Sequence, residues 1–117
     1  MGRLTTHVLD IAHGTPAAGM TVALYRRDGE RLEKLRSATT NADGRLDEPL
    51  LESGDLVPGR YRLVFSAGAY FRRRGATLAD PPFIDDVVID FGVADAAAGY
   101  HVPLLVSPWS YSTYRGS

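Results

Sequence analysis

The stretch from Pro58 to Phe65, Pro-Gly-Arg-Tyr-Arg-Leu-Val-Phe, carries a clear strand pattern. Tyr61, Leu63 and Phe65 fall at every second position and alternate with two arginines and a valine. An alternation of this kind is typical of a β-strand that buries one face. The Pro-Gly pair at its start is typical of a turn. The stretch therefore predicts a half-buried strand that begins directly after a turn.

The same two-residue period recurs along the chain, and turn residues separate the runs. Further alternating segments lie at 8–11, 21–25, 87–93 and 101–106, and turn signals rich in Gly, Pro, Asp and Asn lie at 13–16, 27–30, 41–44, 80–82 and 98–99. The one helix-compatible stretch runs from about Ala67 to Leu78, and two glycines weaken it. Short strands at this spacing predict an all-β fold, a two-sheet antiparallel β-sandwich of about seven or eight strands with one short helix.

Length and composition set the class of protein. The 117 residues suit a single domain, 1–117, and the hydrophobic share of 44% with 23% charged residues is typical of a globular chain. Thirteen basic against fourteen acidic side chains give no electrostatic case for nucleic acid or for an anionic membrane. The absence of cysteine excludes disulfides, thiolate nucleophiles and cysteine metal sites. No signal peptide or membrane span is visible, which favours a compact intracellular protein.

Three histidines and one arginine are the candidate functional residues. His7 shares a strand face with Leu9, His101 lies in a late strand, and His13 sits in a turn. Histidines can share proton transfer near neutral pH, but each can equally be a structural residue, and His13 is assigned that role. Their spacing matches no strand or helix chelate, so we expect no metal. Arg45 can grip a planar polar ligand or simply pair with a neighbouring aspartate.

The C-terminal segment, 107–117, is rich in aromatic and hydroxyl side chains. Ser110, Ser112 and Tyr114 alternate, with Thr113 among them, which predicts a final strand with one polar face. Such a face is either solvated or lines a pocket. The sequence has no defensible Ser-His-Asp triad and no glycine-rich phosphate loop.

Two long motifs resemble the signatures of the transthyretin-like family. The first is His-Val-Leu-Asp at 7–10, followed by 14–17 and 20–22, and the second is Tyr-His-Val-Pro-Leu-Leu-Val-Ser-Pro-Trp-Ser-Tyr-Ser at 100–112. Thr40-Asn41, Asp-Gly-Arg at 43–45 and Gly-Arg-Tyr at 59–61 fall between them in the expected order. The family includes secreted thyroid hormone carriers and 5-hydroxyisourate hydrolases. The chain resembles the hydrolase branch, which characteristically ends in Tyr-Arg-Gly-Ser, as positions 114–117 do here.

The resemblance implies two four-stranded sheets and a homotetramer, a dimer of dimers, with sites at the dimer–dimer interface. It implies hydrolysis of the cyclic amide of 5-hydroxyisourate without cofactor or metal. His7, Arg45 and His101 would be catalytic, and Tyr114 and Ser117 would bind the substrate together with His7 and Arg45. A nearby guanidinium would lower a histidine pKa and keep a neutral base available. Lysine occurs only at position 34, arginine and alanine are abundant, and no Ser-Lys-Leu ending is present, so we expect the bacterial cytoplasm.

Three departures from the family pattern stand out. Gly99 replaces a common histidine, Trp109 replaces a tyrosine or phenylalanine, and the usual aromatic-Pro step reads Phe-Ile-Asp at 83–85. None touches the implied catalytic residues, although Gly99 can alter the edge of the site. A non-catalytic small-molecule carrier on the same fold is the main alternative, and an interaction sandwich of another family is a second one.

Overall fold

Two four-stranded sheets make up the protein in a computed structural model that describes residues 2–116. Within that range there are eight strands and one helix, which are β1 Leu4–Asp10, β2 Thr15–Pro16, β3 Thr21–Asp28, β4 Arg31–Thr39, β5 Gly59–Phe65, α1 Ala67–Arg73, β6 Val87–Val93, β7 Tyr100–Val106 and β8 Tyr111–Thr113. The predicted all-β sandwich with one short helix is confirmed. The helix ends at Arg73, five residues before the predicted Leu78, and Gly75 follows with a φ of 82°.

One sheet has the strand order β2-β1-β7-β8 and the other has the order β4-β3-β5-β6. The prediction of purely antiparallel pairing is wrong at one place, because β1 and β7 run parallel, from Leu4 opposite Tyr100 to Asp10 opposite Val106. Parallel neighbours need a crossover connection. Here the whole second sheet lies between β1 and β7 in the sequence and supplies it. The other pairings are antiparallel.

The core lies between the sheets and follows the predicted alternation. Tyr61, Leu63 and Phe65 of β5 are fully buried. The inward positions of β1, β3, β6 and β7 fill the rest of the core, with Val8, Val22, Leu24, Val87, Leu104 and Val106 among them. The outward positions of β1 are half-buried instead, as are His101 and Leu105 on β7. That alternation leaves one broad sheet face free of the core.

A buried carboxylate joins β1 to the helix. Asp10 Oδ1 accepts the N–H groups of Ala12 and His13 at 3.0 and 2.9 Å, and Oδ2 accepts His13 Nδ1–H at 2.7 Å and the Tyr70 hydroxyl at 2.8 Å. Burial alone would raise the pKa of Asp10, but the hydrogen bonds from Tyr70 and His13 hold it below its usual value. Burial, followed by the bond to Asp10, raises the pKa of Tyr70 to about 12. His13 therefore has the structural role that the sequence assigned to it.

The described chain, residues 2–116, contains no helix that is long and apolar enough to cross a membrane.

Candidate active site

The parallel pair β1–β7 places His7 and His101 on the same outer face of the first sheet. In the pairing register His101 lies opposite Thr5, and His7 lies opposite Pro103. Because side chains alternate along a strand, the inward neighbours Thr6 and Val8 are buried while both histidines are half-buried on the other side. The prediction that His7 shares a face with Leu9 is confirmed.

A tight turn brings Arg45 to the same face. The side-chain oxygen of Asn41 accepts the N–H groups of Asp43 and Arg45, at 2.9 and 3.1 Å. Gly44 has a φ of 75°, and its carbonyl accepts the Val8 N–H at 2.8 Å. A Cβ at Gly44 would lie 2.3 Å from the Val8 carbonyl oxygen, so only glycine allows this approach. The turn is thereby fixed to β1, and Arg45 forms a bridge partner of His7.

The same turn determines the proton position on His7. His7 Nε2 lies 2.9 Å from the backbone carbonyl oxygen of Asp43. A carbonyl oxygen only accepts hydrogen bonds, so Nε2 carries the proton in this contact. In the neutral ring, Nδ1 is then the basic nitrogen.

His101 is held from two sides. Its Nδ1 lies 2.8 Å from the Thr5 hydroxyl oxygen. On the other side, Gly116 forms a bridge with His101 and donates its N–H to the His101 carbonyl at 2.7 Å. A Cβ at Gly116 would lie 2.6 Å from His101 Cδ2, so the glycine packs directly on the ring. The C-terminal segment and β1 together set the orientation of this imidazole.

The electrostatics of the face act on His101. Burial is the largest influence that lowers the pKa of His101, and the charge of Arg45 and then that of His7 lower it further. A cation disfavours protonation of a neighbouring imidazole. His101 is therefore biased toward its neutral form, as the expected guanidinium effect requires.

Tyr114, one of the two substrate-binding residues predicted near the C-terminus, stands apart from this cluster. Tyr114 is 59% exposed. It lines a cavity of about 220 Å³ with Phe91 and Tyr100, and within residues 2–116 no hydrogen bond joins its side chain to either histidine. Ser117 lies outside the described residues. A role for Tyr114 and Ser117 in substrate binding stays a prediction.

Arg115 anchors the segment that carries these residues. Its guanidinium carbon lies 4.1 Å from the centre of the Tyr100 ring, a cation–π contact, and a guanidinium nitrogen donates to the Gly99 carbonyl at 3.2 Å. Gly99 is the position at which the sequence departs from the histidine that the resemblance leads us to expect. The Arg115 contact holds the C-terminal segment against the start of β7, next to His101.

Sequence reasoning missed Thr5, Asn41 and the contact that Gly116 makes. Asn41 and Gly116 lie inside motifs on which the family resemblance rests, so those motifs could have pointed to them. Thr5 gave none, because its partner is 96 positions away in the sequence. Thr5 and Arg45 also line a cavity of about 240 Å³ beside the cluster. Among the described residues, no group of three His, Asp or Glu side chains is arranged to hold a metal ion.

Comparison with known proteins identifies the relatives of the chain. It is 58% identical to 5-hydroxyisourate hydrolase of Pseudomonas aeruginosa over 117 residues, which is 100% of this chain and 93% of the relative. The solved structure of Klebsiella pneumoniae 5-hydroxyisourate hydrolase matches with a TM-score of 0.82 and 40% identity over 100% of both chains.

A thyroxine-bound transthyretin has the same fold. Sea bream transthyretin, solved in complex with thyroxine, matches with a TM-score of 0.86 but only 26% identity, over 97% of this chain and 94% of the other. The backbone alone thus does not distinguish the two kinds of protein, and the side chains must. The family model described as HIUase/Transthyretin matches residues 4–116, and the chain belongs to the HIUase/Transthyretin family.

Proposed function

We propose that this chain is a 5-hydroxyisourate hydrolase, which opens the cyclic amide of its substrate to 2-oxo-4-hydroxy-4-carboxy-5-ureidoimidazoline. One observation carries the proposal. His7, Arg45 and His101 share one sheet face, in a chain 58% identical over its full length to a protein of that name. Relatives from 58% identical, in Pseudomonas aeruginosa, to 42% identical, in Mus musculus, have the hydrolase name, whereas the match to thyroxine-bound transthyretin stands at 26%.

His101 is the general base in this proposal. Its lowered pKa favours the neutral ring, and its Nδ1 is engaged by Thr5, which leaves Nε2 to take a proton from water. The water oxygen then bonds to the amide carbon. A positioned base contributes roughly 10²–10⁴-fold to the rate. His7, whose Nε2 proton is held by Asp43, assists proton return from its own side of the face.

Arg45 stabilises the negative charge of the reaction. As water adds, the amide oxygen becomes an oxyanion, and a fixed guanidinium offers paired N–H donors to it. The carbon–nitrogen bond then breaks, and the ring nitrogen takes up the proton from the histidines. The short link from Arg45 through Gly44 to β1 supports this role, because it fixes the position of the arginine backbone before the substrate arrives.

We further propose a homotetramer, a dimer of dimers, with the site at the dimer–dimer interface and closed by Tyr114 and Ser117. Its support is the apolar exposure at the β8 edge of the first sheet, where Trp109 is 67% and Tyr111 45% exposed. Among the described residues 2–116, the short edge strand β8 also has a strand partner on one side only, β7. Sedimentation equilibrium should give about four times the chain mass of 12.7 kDa; a monomer at assay concentration contradicts the proposal.

The test of function uses fresh 5-hydroxyisourate, generated in the cuvette from urate by a urate oxidase and followed by its ultraviolet absorbance. We expect decay far above the spontaneous rate, and its loss in His7→Ala and in Arg45→Ala. Arg60→Ala is the matched control, since Arg60 is exposed on β5 of the other sheet. It should retain full activity.

Two outcomes would reject the proposal. Decay no faster than the blank from folded, tetrameric protein would favour a non-catalytic small-molecule carrier, which binds aromatic ligands without turnover. Full activity in both His7→Ala and Arg45→Ala would show that the hydrolysis does not take place at this sheet face.

A further inference from the structure

We infer that Thr5 is a positioning residue for His101, and that its hydroxyl supports both neutral tautomers of the His101 ring. The inference deepens the proposed function and rests on it. It starts from the 2.8 Å contact between Thr5 Oγ1 and His101 Nδ1.

The contact is built into the sheet. Thr5 and His101 are register partners in the parallel pair β1–β7, so their side chains emerge side by side on the same face. Both residues are half-buried, which limits competition from water. A β-branched side chain on a strand has few rotamers, so the hydroxyl is held where the ring needs it.

The chemical nature of the partner matters most. A carboxylate or a backbone carbonyl only accepts hydrogen bonds and fixes the proton on the nitrogen it contacts. The Asp43 carbonyl imposes this restriction on His7. A hydroxyl both donates and accepts. Thr5 therefore accepts from Nδ1–H both when neutral His101 takes a proton at Nε2 and when the resulting imidazolium returns that proton, and it donates to Nδ1 when the neutral ring carries its proton on Nε2.

A neutral partner also suits the charge of the site. A carboxylate beside Nδ1 would favour the protonated imidazolium. The threonine hydroxyl holds the ring without adding a negative charge, so the lowering effect of burial and Arg45 on the His101 pKa persists. Rotation about the Thr5 Cβ–Oγ1 bond lets the hydroxyl change between accepting from Nδ1 and donating to it, and no heavy atom has to move.

Thr5→Val tests the inference, because valine keeps the shape and β-branching and removes the hydroxyl. We expect kcat to fall roughly 10–100-fold, less than the whole contribution of a positioned base because His101 itself remains, with KM changed by less than about threefold. Thr5→Ser should restore kcat to near the wild-type value.

Thr6→Val is the matched control. Thr6 is the next residue on β1, is 3% exposed, and donates its hydroxyl to the Val102 carbonyl on β7 at 2.7 Å. Its loss removes an equivalent bond between the same strands without touching His101. We expect lower thermal stability but a kcat within about twofold of wild type.

A readout independent of activity separates the inference from the proposed function. With ¹⁵N-labelled histidine, the ring nitrogens of neutral His101 should show shifts averaged between the two tautomers in wild type and in Thr5→Ser. In Thr5→Val the two ¹⁵N shifts of the His101 ring should move to the values typical of a single tautomer. If the wild-type protein shows no hydrolase activity, the proposed function fails, while these shifts still test the role of Thr5.

Three results would overturn the inference. One is a set of His101 nitrogen shifts that is the same in Thr5→Val and wild type. Another is a Thr5→Val kcat equal to that of wild type or of Thr6→Val. The third is a failure of folded Thr5→Ser to recover activity that Thr5→Val has lost.

Discussion

Replacement of Gly116 by alanine should disable the site while the fold persists. The added Cβ would lie 2.6 Å from Cδ2 of His101 and 3.3 Å from two further atoms of that side chain. Carbon atoms in ordinary contact are about 3.5–4.0 Å apart. Either the imidazole or the C-terminal segment must therefore move by roughly 1 Å.

The expected loss follows from that displacement. A misplacement of about 1 Å at a catalytic group can reduce the rate about 10²-fold, so kcat/KM should fall by roughly 10–100-fold. This corresponds to about 1.4–2.7 kcal/mol of transition-state stabilisation. Stability should change little, by about 0.5 kcal/mol or less, because the substitution lies at the edge of the sheet rather than in the core.

The assay is the 5-hydroxyisourate decay described above, with urea unfolding measured on the same protein. Gly92→Ala is the matched control, because a Cβ at Gly92 on β6 meets nothing within 4 Å. It should leave the activity unchanged. The reasoning is refuted if Gly116→Ala retains the wild-type kcat/KM, or if its loss of activity only mirrors a comparable loss of stability.

Four further predictions concern the histidine face and the hydrogen bonds of Asp10. Arg45→Gln should raise the NMR titration midpoint of His101 toward its usual 6.5, because it removes the Arg45 charge. The rise should be partial, since burial is the larger cause and remains; an unmoved midpoint contradicts this. Because folding lowers that pKa, the contribution of neutral His101 to stability is complete above pH 6.5 and is lost as the pH falls toward the folded pKa. Asp10→Asn should lower the free energy of unfolding by about 2–4 kcal/mol, since an amide N–H₂ would face hydrogen-bond donors. Tyr70→Phe should lower it by about 1–2 kcal/mol. If urea unfolding ranks the two variants the other way, Asp10 is not the centre of this hydrogen-bond network. Gly44→Ala should lower the free energy of unfolding by about 1–3 kcal/mol through strain at positive φ, and it should reduce hydrolase activity as well. If urea unfolding and the decay assay show both unchanged, the turn does not fix Arg45.

The sequence predicted those strands that bury one face. Tyr61, Leu63 and Phe65 alternate because β5 lies in the middle of its sheet, with the core on one side. β4 gave no such pattern. It forms the edge of that sheet and is exposed along most of its length, so nothing selects a two-residue period of apolar side chains. The parallel pairing of β1 with β7 was also missed, since direction depends on a crossover that local patterns do not record.

The candidate site was proposed from motifs, but its geometry could not be. His7, Arg45 and His101 were proposed through a family resemblance, because each of them alone has an ordinary structural explanation. Their proximity depends on the β1–β7 register and on the Gly44 turn. The partner of His101, Thr5, had no motif of its own and became visible only when residues 96 positions apart were placed side by side.

Backbone contacts of two glycines explain why the functional segments lie where they do. Gly44 receives the Val8 N–H and directly precedes Arg45, while Gly116 donates to the His101 carbonyl. At both positions a Cβ would lie within 2.6 Å of the sheet or of the ring. The main chain itself thus fixes the distance between each segment and the face with the histidines, and no flexible side chain intervenes. This places the precision of the site in residues that do no chemistry. Loss of either glycine would leave the sandwich standing and remove the alignment of the groups that it positions.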